Sequence, residues 1–384
     1  MPECRTPETL TIVGASVRAA AQSALRGGYA VVAADLFADR DLAQLCPTTQ
    51  VDDYPLEFDA VISASQSGGW LYTGGLENYS QLIDAWAERR PLYGVRGEAL
   101  RNVRRPELVA EALRAARLPA PEVALTAARL SREKIWLQKP LSSSGGIGVR
   151  RWTESNGVDT TAQSGDCYYQ EFISGQNCSA VYVACQGESR LLGMSSQLVG
   201  PDWLGCGGFR YAGSIGPWPL TSTLRSTFEL LGSTLARSFR LTGLFGVDAV
   251  LRGDEAWTVE VNPRYPASVE VLERAGDFSA VELHVAACRY GRLPPSAAMP
   301  DPCVHGKAIL FAKRPLVIPL ALATEWLELA QQPTQTMADV PAPGTKIPAN
   351  APIVTLLATG ASESEVLGRL QAEARRRLAT LDRG

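Results

Sequence analysis

Histidine is almost missing from this chain, with two among 384 residues. The eight cysteines stand singly at 4, 46, 167, 178, 185, 206, 288 and 303, with no Cys-x-x-Cys pair, so a zinc site lacks its usual donors. Dispersed thiols fit a reducing compartment, and a cytoplasmic location is expected. No apolar run is long enough to span a bilayer, and the opening MPECRTPETL lacks the layout of a signal peptide. An excess of one charge is missing too. Lys and Arg number 37 against 40 Asp and Glu, scattered along the chain, so neither nucleic acid nor a membrane surface is an expected partner. No internal repeat is visible.

What is present suits a soluble globular protein, with 46% hydrophobic and 20% charged residues. Single cores stop growing near ~250–300 residues, so 384 residues allow two or three packed domains. The start reads as strand 9–14, an Ala-rich helix 15–26 stopped by Gly27-Gly28, and strand 29–34 ending on Asp35. That is a βαβ unit of Rossmann type. The fingerprint Gly-x-Gly-x-x-Gly is absent, however, so NAD binding is not expected, and Asp35 reads as a turn residue as readily as a ribose ligand. A strand is expected at 60–65. Polar glycine-rich loops follow at Ser67–Gly69 and Thr73–Tyr79, then a helix at 79–90 and a last strand at 91–95. Loops after parallel strands are where an open α/β sheet collects ligands, although plain turns share this composition.

A helix over 98–118, broken near Pro106, leads to IWLQKPLSSSGGIGV at 135–149. Here Lys139 rides on a strand just ahead of a Ser/Gly loop, 142–148, whose unencumbered amides can cradle phosphate oxygens beside the lysine charge. Strands are expected at 167–175, 179–185 and 189–196, then a glycine-rich loop over 200–217 and a helix over 221–239. The stretch FGVDAVLRGDEAWTVEVNPR, 245–264, alternates on both sides of a Gly/Asp turn and reads as a hairpin. On adjacent strands Asp248, Glu260 and Asn262 can converge as oxygen ligands of the kind Mg²⁺ accepts, with Arg264 a phosphate partner beyond Pro263. A polar edge facing solvent is the plainer alternative. Helices at 268–275 and 280–289, strands at 305–312 and 352–358, and a terminal helix 363–381 complete the reading.

A lysine strand, a Ser/Gly loop, Glu-Phe-Ile, then Asp…Glu-x-Asn-Pro-Arg, in that order over roughly 98–292, resembles the ATP-grasp superfamily. The opening 15–42, GGLENY and EVNPRYPAS resemble more narrowly its predicted ATP-dependent carboligases, related to biotin carboxylase and, among archaeal proteins, to a tyramine–glutamate ligase of methanofuran synthesis. The resemblance implies an α/β protein with a Rossmann-like domain at 1–97, an α+β ATP-grasp domain at 98–302, and a small α+β extension at 303–384. It implies ATP and Mg²⁺, two ions, with Mn²⁺ as a substitute. Gln170, Glu171, Phe172 and Ile173 match the strand that holds adenine. Asn177 stands where the family often has a ribose-binding carboxylate. Lys139 matches the second phosphate lysine, with Ser144, Gly145 and Gly146 in the phosphate loop; Arg104 or Arg105 replaces the first lysine. Asp248, Glu260 and Asn262 match the metal ligands, and Arg264 the residue that steadies an acyl phosphate.

The implied activity is an amide-forming carboxylate–amine ligase that activates its acid as an acyl phosphate, with cofactor biosynthesis as one setting. Its partners would be a small carboxylate and a small amine, and a homodimer is one assembly left open. A bicarbonate-dependent carboxylase is the alternative enzyme, although the chain has no biotin-carrier Met-Lys-Met; a silent ATP-binding regulator is the third reading. For the acceptor, Arg18, Glu77, Asn78 and Arg210 are the candidates, from the first-domain loops and the segment 203–216. Arg18, one turn into its helix, reads equally well as a solvated surface residue.

Overall fold

The computed structural model describes residues 7–64, 68–153, 166–276, 278–295 and 303–381. The expected loop residue Ser67 and the stretch 296–302 beside the expected domain boundary lie outside them.

The first layer is a parallel sheet in the order Thr48–Gln50, Ala30–Asp35, Thr9–Val13, Trp70–Tyr72, extended by a parallel bridge from Trp70 to Leu92. Thr9–Val13 (TLTIV) is buried on both faces, as strands of a parallel sheet covered by crossover helices are. In the helix Arg18–Arg26, Ala20, Ala21 and Ala24 are buried, and their small side chains let it settle against the helix Ala280–Tyr290. Two expectations fail here. Residues 60–64 of the expected strand belong to a helix, Phe58–Ala64, because Phe58 and Ile62, four residues apart, are its buried pair, and residue 65 lies outside the described residues. The expected strand 91–95 shrinks to the single bridge at Leu92, and the ordered strand is Trp70–Tyr72 instead.

Pro106 breaks the next helical stretch as expected, giving Gly97–Val103 and then Pro106–Ala115 with proline in the first turn, where no N–H is needed. A small antiparallel sheet follows in the order Val123–Ala124, Cys167–Glu171, Trp136–Pro140, Arg150–Arg151. Facing it is an eight-stranded antiparallel sheet. Its order is Glu255–Asn262, Gly243–Arg252, Gln176–Cys185, Glu188–Val199, Tyr211–Gly216, Val304–Phe311, Pro352–Gly360 and Met337–Ala338. The expected loop over 200–217 therefore ends in a strand. Val304–Phe311, Pro352–Gly360 and Met337–Ala338 continue the same sheet across Gly213↔Ala308, while Leu316–Val317 and Lys346–Ile347 pair in a small sheet of their own. The helix Leu320–Gln331, which the sequence reading passed over, buries Trp326 beneath them.

Two apolar clusters join the first layer to the large sheet. One unites Val13, Phe58 and Trp70 with Tyr182, Phe228 and Val247; the other unites Leu10 and Val31 with Val183, Leu244 and Val281. His284 adds a polar pin between them. Its Nδ1 accepts the Leu244 N–H at 2.7 Å and its Nε2 donates to the Tyr93 carbonyl at 2.9 Å. Burial holds this imidazole down at about 4, against the pull of the Tyr93 bond, so it is neutral at ordinary pH. The first layer is thus fixed against the hairpin 243–262, and that placement builds the site.

Candidate active site

The hairpin strands Gly243–Arg252 and Glu255–Asn262 are joined by a two-residue turn with Gly253 at a positive φ of 62°. Asp248 stands directly opposite Glu260, but the next pair is Ala249 with Thr258. Val259 is therefore the extra residue of a β-bulge. Its carbonyl, turned out of the ladder, accepts the Lys139 ammonium at 3.1 Å and the Gln170 amide at 3.2 Å. The bulge thus ties the small sheet, which carries Lys139 and Gln170, to the hairpin that carries the carboxylates. Lys139 Nζ also donates to Gln170 Oε1 at 3.1 Å and lies 5.6 Å from the Tyr168 ring centre.

Asp248, Glu260 and Asn262 converge. Asn262 Nδ2 donates to Asp248 Oδ2 at 3.0 Å, and Gln197 Nε2 donates to Oδ1 at 2.8 Å. Burial first, then the Glu260 charge, pushes the Asp248 carboxyl up to about 6. Glu260 moves the other way, because Arg104 and then Lys139 outweigh the upward push of burial. Two carboxylates side by side, one destabilised as an anion, with an amide oxygen next to them, form a donor set that fits a hard divalent cation. Among the described residues no group of three or more His, Cys, Asp and Glu side chains could hold a metal, so a cation here would rest on two carboxylates, Asn262 and the oxygens of a bound substrate.

Three cations border this cradle. Arg104 Nη1 donates to Glu260 Oε1 at 3.0 Å, whereas Arg105 is exposed and pairs with Glu107, so of the two arginines Arg104 is the one that enters the site. Burial lowers the acidity range of both Arg104 and Lys139, but Glu260 and Glu77 outweigh it for Arg104, and Tyr168 and Glu260 outweigh it for Lys139; both end above their ordinary values and stay charged. Arg264 Nη2 donates to Asn262 Oδ1 at 2.9 Å.

The loop after Lys139 closes over this cluster. Gly145, Gly146 and Gly148 take φ of 61°, 75° and 78°, and a Cβ on Gly146 would stand 2.0 Å from the Phe209 carbonyl oxygen. The Tyr211 N–H donates to Gly145 O at 3.0 Å, sealing the loop to the strand Tyr211–Gly216. Beneath it runs a cleft of about 380 Å³, lined by Lys139, Ser144–Gly146 and the stretch 170–173 at one end, with Asn177 beside them. Asp248, Glu260, Asn262 and Arg264 line its middle, and Ser16, Thr73, Gly74, Lys307 and Asp339 its other end. Phe172 meets Phe209 edge-on, with ring centres 6.2 Å apart, and Ile173 is buried. The Glu171 carboxylate faces away from the phosphate side, toward Lys134 at 3.2 Å.

The acceptor candidates are placed otherwise than expected. Arg18 lines the cleft but is 1% exposed, so it is not solvated, and its donors are committed. It holds Glu270 at 2.6 and 3.0 Å, Asp339 at 2.7 Å and Gln22 at 2.9 Å, which leaves no fork for a substrate carboxylate. Arg210 donates to the Asn350 carbonyl and stacks on Phe311 at 4.6 Å, outside the cleft lining. Glu77 and Asn78 are also absent from that lining, since Glu77 accepts from Arg264 at 2.9 Å and Asn78 from Arg104 at 3.1 Å. Gln197 and the Val259 carbonyl are site groups that the sequence reading missed, and only the bulge reveals the second.

A family model described as an ATP-grasp domain matches residues 107–268. No curated protein matches the chain in sequence. Among solved structures, an N5-carboxyaminoimidazole ribonucleotide synthetase in complex with ADP superposes with a TM-score of 0.71 at 16% identity, covering 100% of both chains. The biotin carboxylase of Campylobacter jejuni gives 0.71 at 14%, covering 94% of this chain and 89% of that one. The L-amino acid ligase of Bacillus licheniformis gives 0.69 at 15%, covering 96% and 97%. The small sheet, the glycine loop and the hairpin that border the cleft all fall within the matched segment, so residues 107–268 match an ATP-grasp domain and the chain shares the fold of these solved structures.

Proposed function

We propose that this protein is an ATP-dependent carboxylate–amine ligase that forms an amide through an acyl phosphate. The observation that carries the reading is the meeting of Lys139 and Arg264 with Asp248, Glu260 and Asn262 in one cleft under a glycine loop, with Arg104 bonded to Glu260 at its border. A carboxylate does not react with an amine at neutral pH, because its oxygen leaves poorly. Attack of that oxygen on the γ-phosphorus breaks the bond to ADP and turns the oxygen into part of a phosphate leaving group. The amine nitrogen then attacks the carbonyl carbon, the carbon–oxygen bond breaks, and inorganic phosphate departs with the amine's proton. Chemistry of this kind asks the protein mostly for positioning and charge neutralisation.

The adenine end falls to 170–173. The N–H groups of Glu171 and Phe172 are already given to Glu122 and Ile135 carbonyls, which makes the Ile173 backbone the next point of contact along the strand. Lys139 and Arg104 hold phosphate oxygens, and Arg264 holds the phosphate as it passes to the acid. A pair of Mg²⁺ ions on Asp248, Glu260 and Asn262 would supply neutralisation of the phosphate charge. The loop 142–148 excludes water, protecting the acyl phosphate from hydrolysis. The acid and amine sit toward Ser16, Thr73 and Gly74.

Mg²⁺-dependent ADP release, measured with a panel of small carboxylates and amines, tests the reading. Release that needs one acid and one amine together, with their amide as product, is expected, and Glu260→Gln should abolish it at unchanged thermal stability. Release that needs bicarbonate instead would assign the carboxylase reading. Tight nucleotide binding without turnover under any combination would leave the regulator.

A further inference from the structure

The short 3₁₀ turn Leu76–Asn78 follows the strand Trp70–Tyr72 in the first layer, some 180 residues before the hairpin it faces. Leu76 is fully buried in the core, which anchors the turn. Its next two side chains each take hold of one arginine of the site. Glu77 Oε1 accepts from Arg264 Nε at 2.9 Å, and Arg264 in turn donates to Asn262 Oδ1 at 2.9 Å. Asn78 Oδ1 accepts from Arg104 Nη2 at 3.1 Å, and Arg104 in turn donates to Glu260 Oε1 at 3.0 Å. Two arms of equal length thus run from consecutive residues of one turn, through one arginine each, to two of the three cation-cradle residues.

Resting on the ligase reading, we propose that Glu77 and Asn78 are positioning residues that set Arg264 and Arg104 for phosphoryl transfer. Neither lines the cleft, so neither is an acceptor contact. Each arginine has one further, longer contact, Arg264 with the Tyr265 carbonyl at 3.3 Å and Arg104 with the Ser143 carbonyl at 3.4 Å. Arg264 is largely buried, and its guanidinium lies alongside Gly74. A flexible, charged side chain must be fixed before it can meet a phosphate at a defined place, and a carboxylate or amide acceptor on a rigid turn does this. Further contact stiffens the same junction, where the buried Tyr72 hydroxyl donates to the Val95 carbonyl at 2.6 Å and lies 3.4 Å from that of Pro263. Because Thr73 and Gly74, just before the turn, line the acceptor end of the cleft, the segment that meets the acceptor is continuous with the one that sets the arginines.

Two double-mutant cycles on the full chain, read by calorimetric binding of Mg²⁺·AMPPNP and by thermal melting, test the proposal. Asn78→Ala should weaken binding about tenfold in the wild-type background and about onefold in an Arg104→Ala background, because its effect passes through that arginine. Glu77→Gln, which keeps the shape of a buried side chain, should behave in the same way against Arg264→Ala. A residue with a merely structural role would lower the melting temperature and give effects that multiply in both backgrounds; multiplying effects overturn the proposal while leaving the nucleotide site intact. Failure of the wild type to bind Mg²⁺·AMPPNP would overturn the ligase reading, and this inference with it.

Discussion

Replacing Gly146 with alanine separates two costs that the phosphate loop combines. Gly145 and Gly146 both take a positive φ, 61° and 75°, a conformation that costs an L side chain about 1–2 kcal/mol. Around Gly145 nothing lies within 4 Å of an added Cβ, so Gly145→Ala meets that cost alone. At Gly146 the Cβ would stand 2.0 Å from the Phe209 carbonyl oxygen, a backbone atom that cannot swing aside as a side chain can. Relief requires the loop or the segment at 209–211 to retreat by roughly 1 Å, which also opens the Gly145 O···Tyr211 N bond, worth about 1 kcal/mol, and disturbs the packing around it. The closed loop in Gly146→Ala should therefore lie about 2–4 kcal/mol higher, against about 1–2 for Gly145→Ala. Calorimetric titration with Mg²⁺·ADP gives the assay. A loss of affinity of about 30-fold or more in Gly146→Ala, several times that of Gly145→Ala, is expected where nucleotide needs the loop closed. Equal losses in the two variants would refute the reasoning, because the contact with Phe209 would then not matter to the bound state.

Lys139→Ala removes a buried ammonium and leaves the Val259 carbonyl without it, so nucleotide affinity should fall by about 1.5–3 kcal/mol in the same titration. Arg18→Ala strands Glu270 and Asp339 without their guanidinium and should lower unfolding free energy in urea by about 3–5 kcal/mol, instead of raising the KM of an acceptor. His284, with its folded value near 4 against about 6.5 when unfolded, contributes stability that is whole above pH 6.5 and is lost as pH falls from 6.5 toward 4, by about 3 kcal/mol in all. Urea melts of wild type and His284→Asn across that range check it, since the gap between the two should narrow as pH falls, and parallel curves would show the imidazole titrating normally.

The chemistry of the site was legible where it depends on residue type in a fixed order. Lys139 before a Ser/Gly loop, and Asp248 ahead of Glu260-x-Asn262, carry their charge and donor chemistry in the sequence, and the structure brings them into one cleft. Geometry that depends on register was not legible. The bulge at Val259 leaves no mark in TVEV, yet it decides which carbonyl receives Lys139 and Gln170. Long-range partners were hidden for the same reason. Arg18 read equally as an acceptor contact and as a solvated residue on an Ala-rich helix, because Glu270, Lys307 and Asp339, which enclose or neighbour it, arrive from 252 to 321 residues away. The misread strand at 60–65 shows a nearer limit, since a short apolar run carries little periodicity of its own and Phe58, which fixes the helical pairing with Ile62, lies just outside the stretch.

Charge balance joins these parts into one argument. Around the cleft Arg104, Lys139 and Arg264 meet Asp248, Glu260 and, behind Arg264, Glu77, three cations against three carboxylates. Burial at this depth makes any net charge expensive, and burial first, then the Glu260 charge, pushes the Asp248 carboxyl up. A triphosphate brings about four further negative charges, which a cluster without surplus cations cannot answer. Under the ligase reading the carboxylates are therefore needed despite their repulsion, since they attract the divalent ions that must accompany the phosphates. The arginines are needed to keep those same carboxylates ionised before the ions arrive, as Arg104 does for Glu260. Asp248, which burial and then Glu260 destabilise as an anion, is the carboxylate whose amide would ease the empty cleft, so Asp248→Asn should gain or keep thermal stability without nucleotide while losing the stabilisation that Mg²⁺ and nucleotide together confer on the wild type.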